Sequence, residues 1–278
     1  MLGYTSVSRG LILLATVAAC SPRTLALVDL LSDAGLAPHP VDATPTGSPD
    51  GATAAGLLRG LVGLWHCDDG AGSDVVRDSS GNGNNGKLVG LDPALAWTPG
   101  RRGSALATNA AGYAVVDDSA SIDGITAQVT ISAWVYFDGA VLVDYGTALS
   151  RQIENTDLQY YHLSIDVDGV PTLFLGMGVN GPITRVPAPQ PIARMRWTHL
   201  AGTYDGARAV VYVDGFEANS RPIAGTFALD TTPVVLGGNG NKDVGITEWF
   251  PGRIDELALY DRALRPDEIG LLARAVAF

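Results

Sequence analysis

In the segment Gln128-Val129-Thr130-Ile131-Ser132-Ala133-Trp134-Val135-Tyr136-Phe137, apolar residues alternate strictly with a second set. Val129, Ile131, Ala133, Val135 and Phe137 share one side, and Thr130, Ser132, Trp134 and Tyr136 share the other. Successive side chains of a strand point to opposite faces, so this run describes a strand with one wholly apolar face. Such a face must be buried against a second layer. Asp168-Gly169, Asp205-Gly206 and Asp214-Gly215 punctuate further β-rich runs at 161–166, 172–175 and 209–213. Asp-Gly supplies the positive φ that tight hairpins require. More strands are expected at 61–67, 105–106, 113–116, 233–236 and 254–260. One helix is expected after Pro266, with Asp267 and Glu268 in its first turn and Ile269, Leu272 and Val276 apolar. Many strands with one short C-terminal helix predict an all-β, two-sheet antiparallel sandwich.

The N-terminal region has a different character. Residues 1–20 carry Arg9, a short apolar run from Leu11 to Ala15, and Val17-Ala18-Ala19-Cys20. The apolar run is shorter than the roughly 20 residues needed to cross a bilayer. Its end resembles a bacterial lipobox, which implies cleavage before Cys20 and acylation there. An ordinary secretory signal with an incidental cysteine is the other reading. Residues 21–56 combine a brief helical pattern (Leu25, Val28, Leu31, Leu36) with Pro38, Pro40, Pro45 and Pro49, and read as a tether. The folded domain is expected at 57–278. With Cys20 lipidated, Cys67 has no disulfide partner and reads as a small buried hydrophobe. The expected location is the bacterial cell envelope, lipid-anchored at the outer membrane or cell surface. The chain has 18 basic and 29 acidic residues, a net charge of −11, with the acids dispersed. That balance argues against a nucleic-acid partner and leaves the lipid anchor as the one membrane contact.

Asp78-Ser79-Ser80-Gly81-Asn82-Gly83-Asn84-Asn85-Gly86 is too rich in Gly and Asn for strand or helix. Its oxygen-bearing side chains at 78, 80, 82 and 84 suit a hard cation such as calcium. The twelfth position is Val89, so the bidentate Glu of an EF-hand is missing. A metal-free turn in which Asp78 accepts loop amides is the alternative. Trp134 and Tyr136 offer a sugar-stacking platform or serve packing, and Trp249 is a further aromatic candidate for ligand contact. No nucleophile elbow, zinc-binding helix, phosphate loop or Glu-x-Asp-x-x-Glu strand is present. Asp255 and Glu256 are adjacent, so a regular strand would send them to opposite faces. The chain reads as a non-enzyme.

Eight segments fall in the order of one family. They include Leu64-Trp65-His66-Cys67-Asp68-Asp69-Gly70, the Asp78–Gly86 loop, Trp97-Thr98-Pro99-Gly100-Arg101-Arg102-Gly103 and Ile131-Ser132-Ala133-Trp134-Val135. Trp197-Thr198-His199-Leu200-Ala201, Tyr212-Val213-Asp214-Gly215, Gly252-Arg253-Ile254-Asp255-Glu256-Leu257 and Tyr260-Asp261-Arg262-Ala263-Leu264 complete them. Together they resemble the laminin-G-like, concanavalin A-like jelly-roll domains of bacterial surface proteins, over residues 61–272. The resemblance implies a jelly roll and often one bound calcium, here closed by Asp255 together with Asp78 and Asn82. It implies a non-catalytic, calcium-stabilised module recognising glycans or cell-surface polymers. A protein-docking or structural envelope component is the alternative, and a cryptic glycoside hydrolase a third. Arg265 stands where the family has a Ser or Thr cap for the last helix.

Overall fold

The structure, a computed structural model, describes residues 53–274 apart from 109–111, 139–144, 153–158, 179–180, 229–230, 242–244 and 247. The signal segment, Cys20 and nearly all of the expected tether lie outside these described residues.

A helical turn α1 (Ala54–Leu57) precedes β1 (Leu61–Trp65), β2 (Val75–Val76), β3 (Gly86–Val89), β4 (Trp97–Pro99), β5 (Ser104–Thr108) and β6 (Tyr113–Val116). After the turn α2 (Ala120–Asp123) come β7 (Val129–Phe137), β8 (Tyr145–Gln152), β9 (Gln159–Asp166), β10 (Pro171–Gly176) and β11 (Ile183–Pro187). Then follow β12 (Trp197–Tyr204), β13 (Arg208–Val213), β14 (Phe216–Pro222), β15 (Val234–Leu236), β16 (Gly240–Asn241), β17 (Gly245–Ile246) and β18 (Gly252–Tyr260). The helix α3 (Pro266–Arg274) completes the described elements.

The first sheet runs β14-β13-β12-β7-β18-β5-β4, and β1 also pairs with β18. The second runs β11-β10-β9-β8-β15-β6-β3-β2. The ladders are antiparallel, as the expected sandwich requires. The apolar face of β7 does what its alternation dictates. Val129, Ile131, Ala133, Val135 and Phe137 all enter the inter-sheet core, meeting Leu163 and Ile165 of β9 and Leu173 of β10. The sheets approach closely at Gly202, where a Cβ would sit 2.6 Å from the Leu173 Cδ1.

The opposite face of the first sheet is only half covered. A second apolar cluster of Leu57, Leu61, Leu64, Tyr212, Tyr260, Ile269 and Leu272 seals α1 and α3 onto β1, β13 and β18. Thr53 caps α1, its Oγ1 accepting the Gly56 N–H at 3.0 Å. This docked turn begins three residues before the domain start expected at 57. Arg262 ties the two helices together, donating to Gly56 O at 2.9 Å and to both carboxylate oxygens of Glu268. Glu268 also accepts the Arg265 backbone N–H at 2.8 Å. That is the return half of a capping box. With Pro266 at the first helical position, it starts the helix without a Ser or Thr. Burial opposes the Glu268 charge, but these bonds hold its carboxyl below the usual range.

β18 sits at the centre of the first sheet and has three partners. Gly252 to Ile254 pair with β5 and Leu257 to Tyr260 pair with β1, while β7 runs along the other side. The exchange of β5 for β1 falls at a bulge. Asp255 lies opposite Trp134 and Ala258 opposite Ser132, so β18 carries one extra residue there, and Glu256 adopts φ 49. A bulge residue interrupts alternation. Ile254 and Leu257 both reach the core, and Asp255 lies on the outer face between them in sequence.

Candidate functional site

The loop expected to hold calcium is organised by its own amides. Asp78 Oδ1 accepts the N–H groups of Leu64 at 3.0 Å and Ser80 at 2.8 Å. Its Oδ2 accepts from Ser80 Oγ at 2.8 Å and from the Asn84 N–H at 2.9 Å. Asn82 turns its amide nitrogen inward, donating to Leu61 O at 2.9 Å and Val62 O at 3.0 Å. Asn84 is buried and links three places: it donates to Val62 O and Ser121 Oγ, and its carbonyl accepts the Trp65 indole N–H at 2.8 Å. The two oxygens of Asp78 thus meet four N–H and O–H donors.

Asp255 closes a different loop. Its Oδ2 accepts the backbone N–H groups of Arg101 at 2.7 Å and Arg102 at 2.9 Å, which holds the turn between β4 and β5. Asp68 Oδ1 braces the same turn by accepting the Ser104 N–H at 2.6 Å. Asp78 and Asn82 therefore act together, while Asp255 serves another segment. The hydrogen bonds of Asp78 and Asn82 tie their loop to β1, and those of Asp255 hold the β4–β5 turn, with no partner in common. Among the described residues, no group of three or more His, Cys, Asp or Glu side chains is placed to hold a metal ion.

The bulge buries both acids expected to diverge. Asp255 is 0% exposed and Glu256 7%. Glu256 Oε2 lies 2.8 Å from His66 Nδ1. Burial works against a charged imidazole at His66, yet the hydrogen bond and charge of Glu256 outweigh it and raise its pKa. Desolvation is also the main influence on Asp255 and, with the nearby charge of Glu256, it pushes that carboxyl up to about 8 against the two amide bonds. Cys67, free and buried beside this cluster, has its thiol raised well above the usual value, first by burial and then by Asp255. A thiol so raised is inert as a nucleophile at neutral pH.

The outer face of β7 is covered at its start, where Thr130 Oγ1 donates to Arg262 O at 2.7 Å and accepts the Leu264 N–H at 2.9 Å, and is partly open at Tyr136. Register places His199 opposite Trp134 and Trp197 opposite Tyr136 on β12, with Asp255 and Arg253 opposite the same two residues on β18. Trp134 is only 7% exposed. The Arg101 guanidinium lies 4.6 Å from its ring centroid, and His199 meets it edge-on at 5.6 Å. His199 Nε2 is 2.9 Å from Ser132 Oγ, and burial drives its pKa down to about 3, so the ring is neutral. Arg253 lies 4.5 Å from the Tyr136 centroid, and Trp197 packs edge-on at 5.5 Å. Tyr136, Trp197, Arg101, Arg102 and Arg253 are half-buried, and Met195 beside them is 63% exposed. The face offered as a sugar platform or a packing surface is thus mixed: guanidinium groups lie over two rings and a third aromatic borders them. Trp249 is elsewhere. It bridges to Thr147 of β8 in the second sheet, so the three aromatic candidates do not form one surface.

Trp197, Arg101 and Arg253 went unrecognised in the sequence. Trp197 begins a strand whose register against β7 no local pattern discloses. The two arginines stand in turn and strand segments far apart in sequence, joined where the Pro99 carbonyl accepts from Arg253 Nη1 at 3.3 Å and Asp255 accepts the Arg101 N–H.

A profile of the Concanavalin A-like lectin/glucanases superfamily matches residues 108–270. Among solved structures, the binding domain of Paraclostridial mosquitocidal protein 1 is similar with TM-score 0.59 and 21% identity, over 78% of this chain and 52% of that one. Domain 4 of the extracellular arabinanase AbnA of Geobacillus stearothermophilus, solved with arabinotriose, is similar with TM-score 0.55 and 23% identity, over 77% of this chain and 98% of that one. Trypanosoma rangeli sialidase is similar with TM-score 0.56 and 19% identity, over 89% of this chain but 38% of the enzyme. The chain thus spans about half of the toxin domain and less of the sialidase. A search of curated proteins returned no match.

Two outcomes follow from this geometry. Asp78→Ala should lower stability by about 2–4 kcal/mol, because it leaves several loop N–H groups unpaired. The loss should be equal in calcium and in chelator; a loss confined to calcium buffer, read by thermal unfolding, would return the loop to cation binding. Asp255 has a folded pKa above the roughly 3.9 of an unfolded chain. Its contribution to stability is therefore complete below about pH 4 and lost as pH rises toward 8, at about 1.4 kcal/mol per unit. Asp255→Asn keeps an acceptor for the two amides and does not titrate, so urea unfolding at pH 4.5, 6 and 7.5 should show a flatter decline than wild type. Parallel declines would remove Asp255 as the cause.

Proposed function

Since the chain belongs to the Concanavalin A-like lectin/glucanases superfamily, we propose that it is a non-catalytic module that binds glycans. The observation that carries this reading is the half-covered outer face of the first sheet, where Tyr136, Trp197, Arg101 and Arg253 share one accessible surface. Aromatic rings give large rigid contact area, and guanidinium groups give fixed donors for sugar oxygens. The similarity to a toxin binding domain and to an arabinanase domain solved with arabinotriose supports the same reading. A hydrolase would need two carboxyl groups available to one sugar. The adjacent acids of this face, Asp255 and Glu256, are buried and engaged with backbone amides and with His66.

The test is a glycan array followed by titration calorimetry on the variants Tyr136→Ala and Trp197→Ala. Each should weaken binding tenfold or more, about 1.4 kcal/mol, with melting temperature preserved. No bound glycan, or loss of binding in Trp249→Ala alone, would refute this surface. Stoichiometric capture of one envelope protein instead would favour the docking alternative.

Residues 1–20 support export with acylation at Cys20, and the Pro-rich stretch before the domain supports a tether that holds it off a bacterial envelope membrane. Cells fed an alkyne palmitate analogue should label the wild-type chain, and Cys20→Ala should abolish the label and release the protein to the soluble fraction. Equal labelling of both would exclude Cys20 as the anchor.

A further inference from the structure

On the glycan-binding reading, the same surface also discriminates by charge. Arg101 lies on the Trp134 ring and Arg253 on the Tyr136 ring, at 4.6 Å and 4.5 Å from the centroids. Those rings stand two residues apart on one face of β7, so the guanidinium groups are neighbours separated by about 7 Å of strand. Arg102 adjoins them in the β4–β5 turn. Among the described residues, none of the three has a carboxylate within ion-pair distance, although the chain carries 29 acidic residues against 18 basic.

The nearby acids are committed. Asp68 braces Ser104, and Glu256 holds His66. Asp255 binds two amides through Oδ2, and burial raises its pKa. Two buried donors at the same place lack an acceptor: Arg101 Nε and the indole nitrogen of Trp134. A buried donor without a partner favours any ligand that supplies an acceptor. The patch therefore offers guanidinium and indole N–H donors that lack acceptors, bordered by aromatic surface. Stacking on a ring fixes the plane of a guanidinium, and Arg253 spends one Nη1 donor on Pro99 O while its remaining donors can meet a bidentate acceptor. The planar two-oxygen carboxylate matches that edge; a neutral sugar hydroxyl does not.

We propose that this surface recognises a saccharide bearing a carboxylate, with Arg101 and Arg253 receiving the acid group and Tyr136 and Trp197 contacting the sugar ring. A sugar acid in a polymer presents its charge beside the apolar face of its own ring, which corresponds to the alternation of guanidinium and aromatic groups here.

The experiment uses the full chain and titration calorimetry with polygalacturonate, hyaluronan and colominic acid, each beside its carboxyl-reduced counterpart. At least one acid form should bind tenfold or more tightly than its reduced form, and rising sodium chloride should erode the difference. Arg101→Met and Arg253→Met should each weaken acid binding tenfold or more. Arg253→Lys, which keeps the charge and loses the fork, should fall between wild type and Met, so the claim stays testable if a Met variant melts early. Equal binding of acid and reduced forms, with the arginine variants unaffected, would overturn the carboxylate claim and leave glycan binding standing. Dextran sulfate binding as tightly as the best carboxylate polymer would also overturn it, since any polyanion would then suffice. Absence of binding to every acid and reduced polymer would overturn the glycan reading along with it.

Discussion

The bulge at Asp255 and Glu256 sets what the first sheet can be. A central strand has two edges, yet β18 serves three partners because β5 leaves and β1 enters on the same side, at the bulge. The extra residue keeps Ile254 and Leu257 in the core across that exchange. It also places two acids at the junction, where the departing strand's turn and the segment after β1 both present groups to bind. Asp255 takes the turn through Arg101 and Arg102, and Glu256 takes His66. The sheet's connectivity and the local electrostatics thus have a common origin.

From the same junction follows the arrangement of the candidate surface. The turn that Asp255 holds is the turn that carries Arg101, and one residue pair along β18 from Asp255 stands Arg253. Each arginine lies on the β7 aromatic of its own row. Elsewhere the face is sealed: Arg262 clamps α1 to α3, and their apolar residues cover β1 and β13. A jelly-roll sheet covered at one end only presents a bounded, partly apolar surface at the other. Surfaces of this kind, aromatic at the centre and polar at the margin, are where binding is expected.

The fold was largely legible because β7 obeys a period of two and because Asp-Gly marks its neighbours' turns. Asp214 and Gly215 both take positive φ, as an Asp-Gly hairpin requires. β8, β11 and β14 were not legible. Tyr145–Gln152 is interrupted by two register shifts, and the edge strand Phe216–Pro222 is too polar and exposed to show an apolar face. At the site, the Gly and Asn content of 78–86 makes the loop legible, and its Asp78 accepts loop amides. The fate of Asp78 was hidden because four donors converge on it from β1 and from its own loop, a matter of tertiary placement. Asp255 and Glu256 were expected to diverge by simple alternation, and a single left-handed residue changed that. Trp134 and Tyr136 were rightly assigned to one face, but the arginines above them come from segments more than thirty residues before and a hundred after in sequence.

The five tryptophans provide a direct test. Each gives one indole N–H signal in a nitrogen-15 correlation spectrum, and their environments differ. Trp65 and Trp97 donate to Asn84 O and Ser73 O, Trp134 and Trp197 belong to the proposed surface, and Trp249 lies at the second sheet. Titrating the labelled chain with an oligogalacturonate should shift the signals of Trp134 and Trp197 and leave the other three in place. A shift of Trp249 alone, with Trp134 and Trp197 unmoved, would contradict the account and place recognition on the opposite sheet.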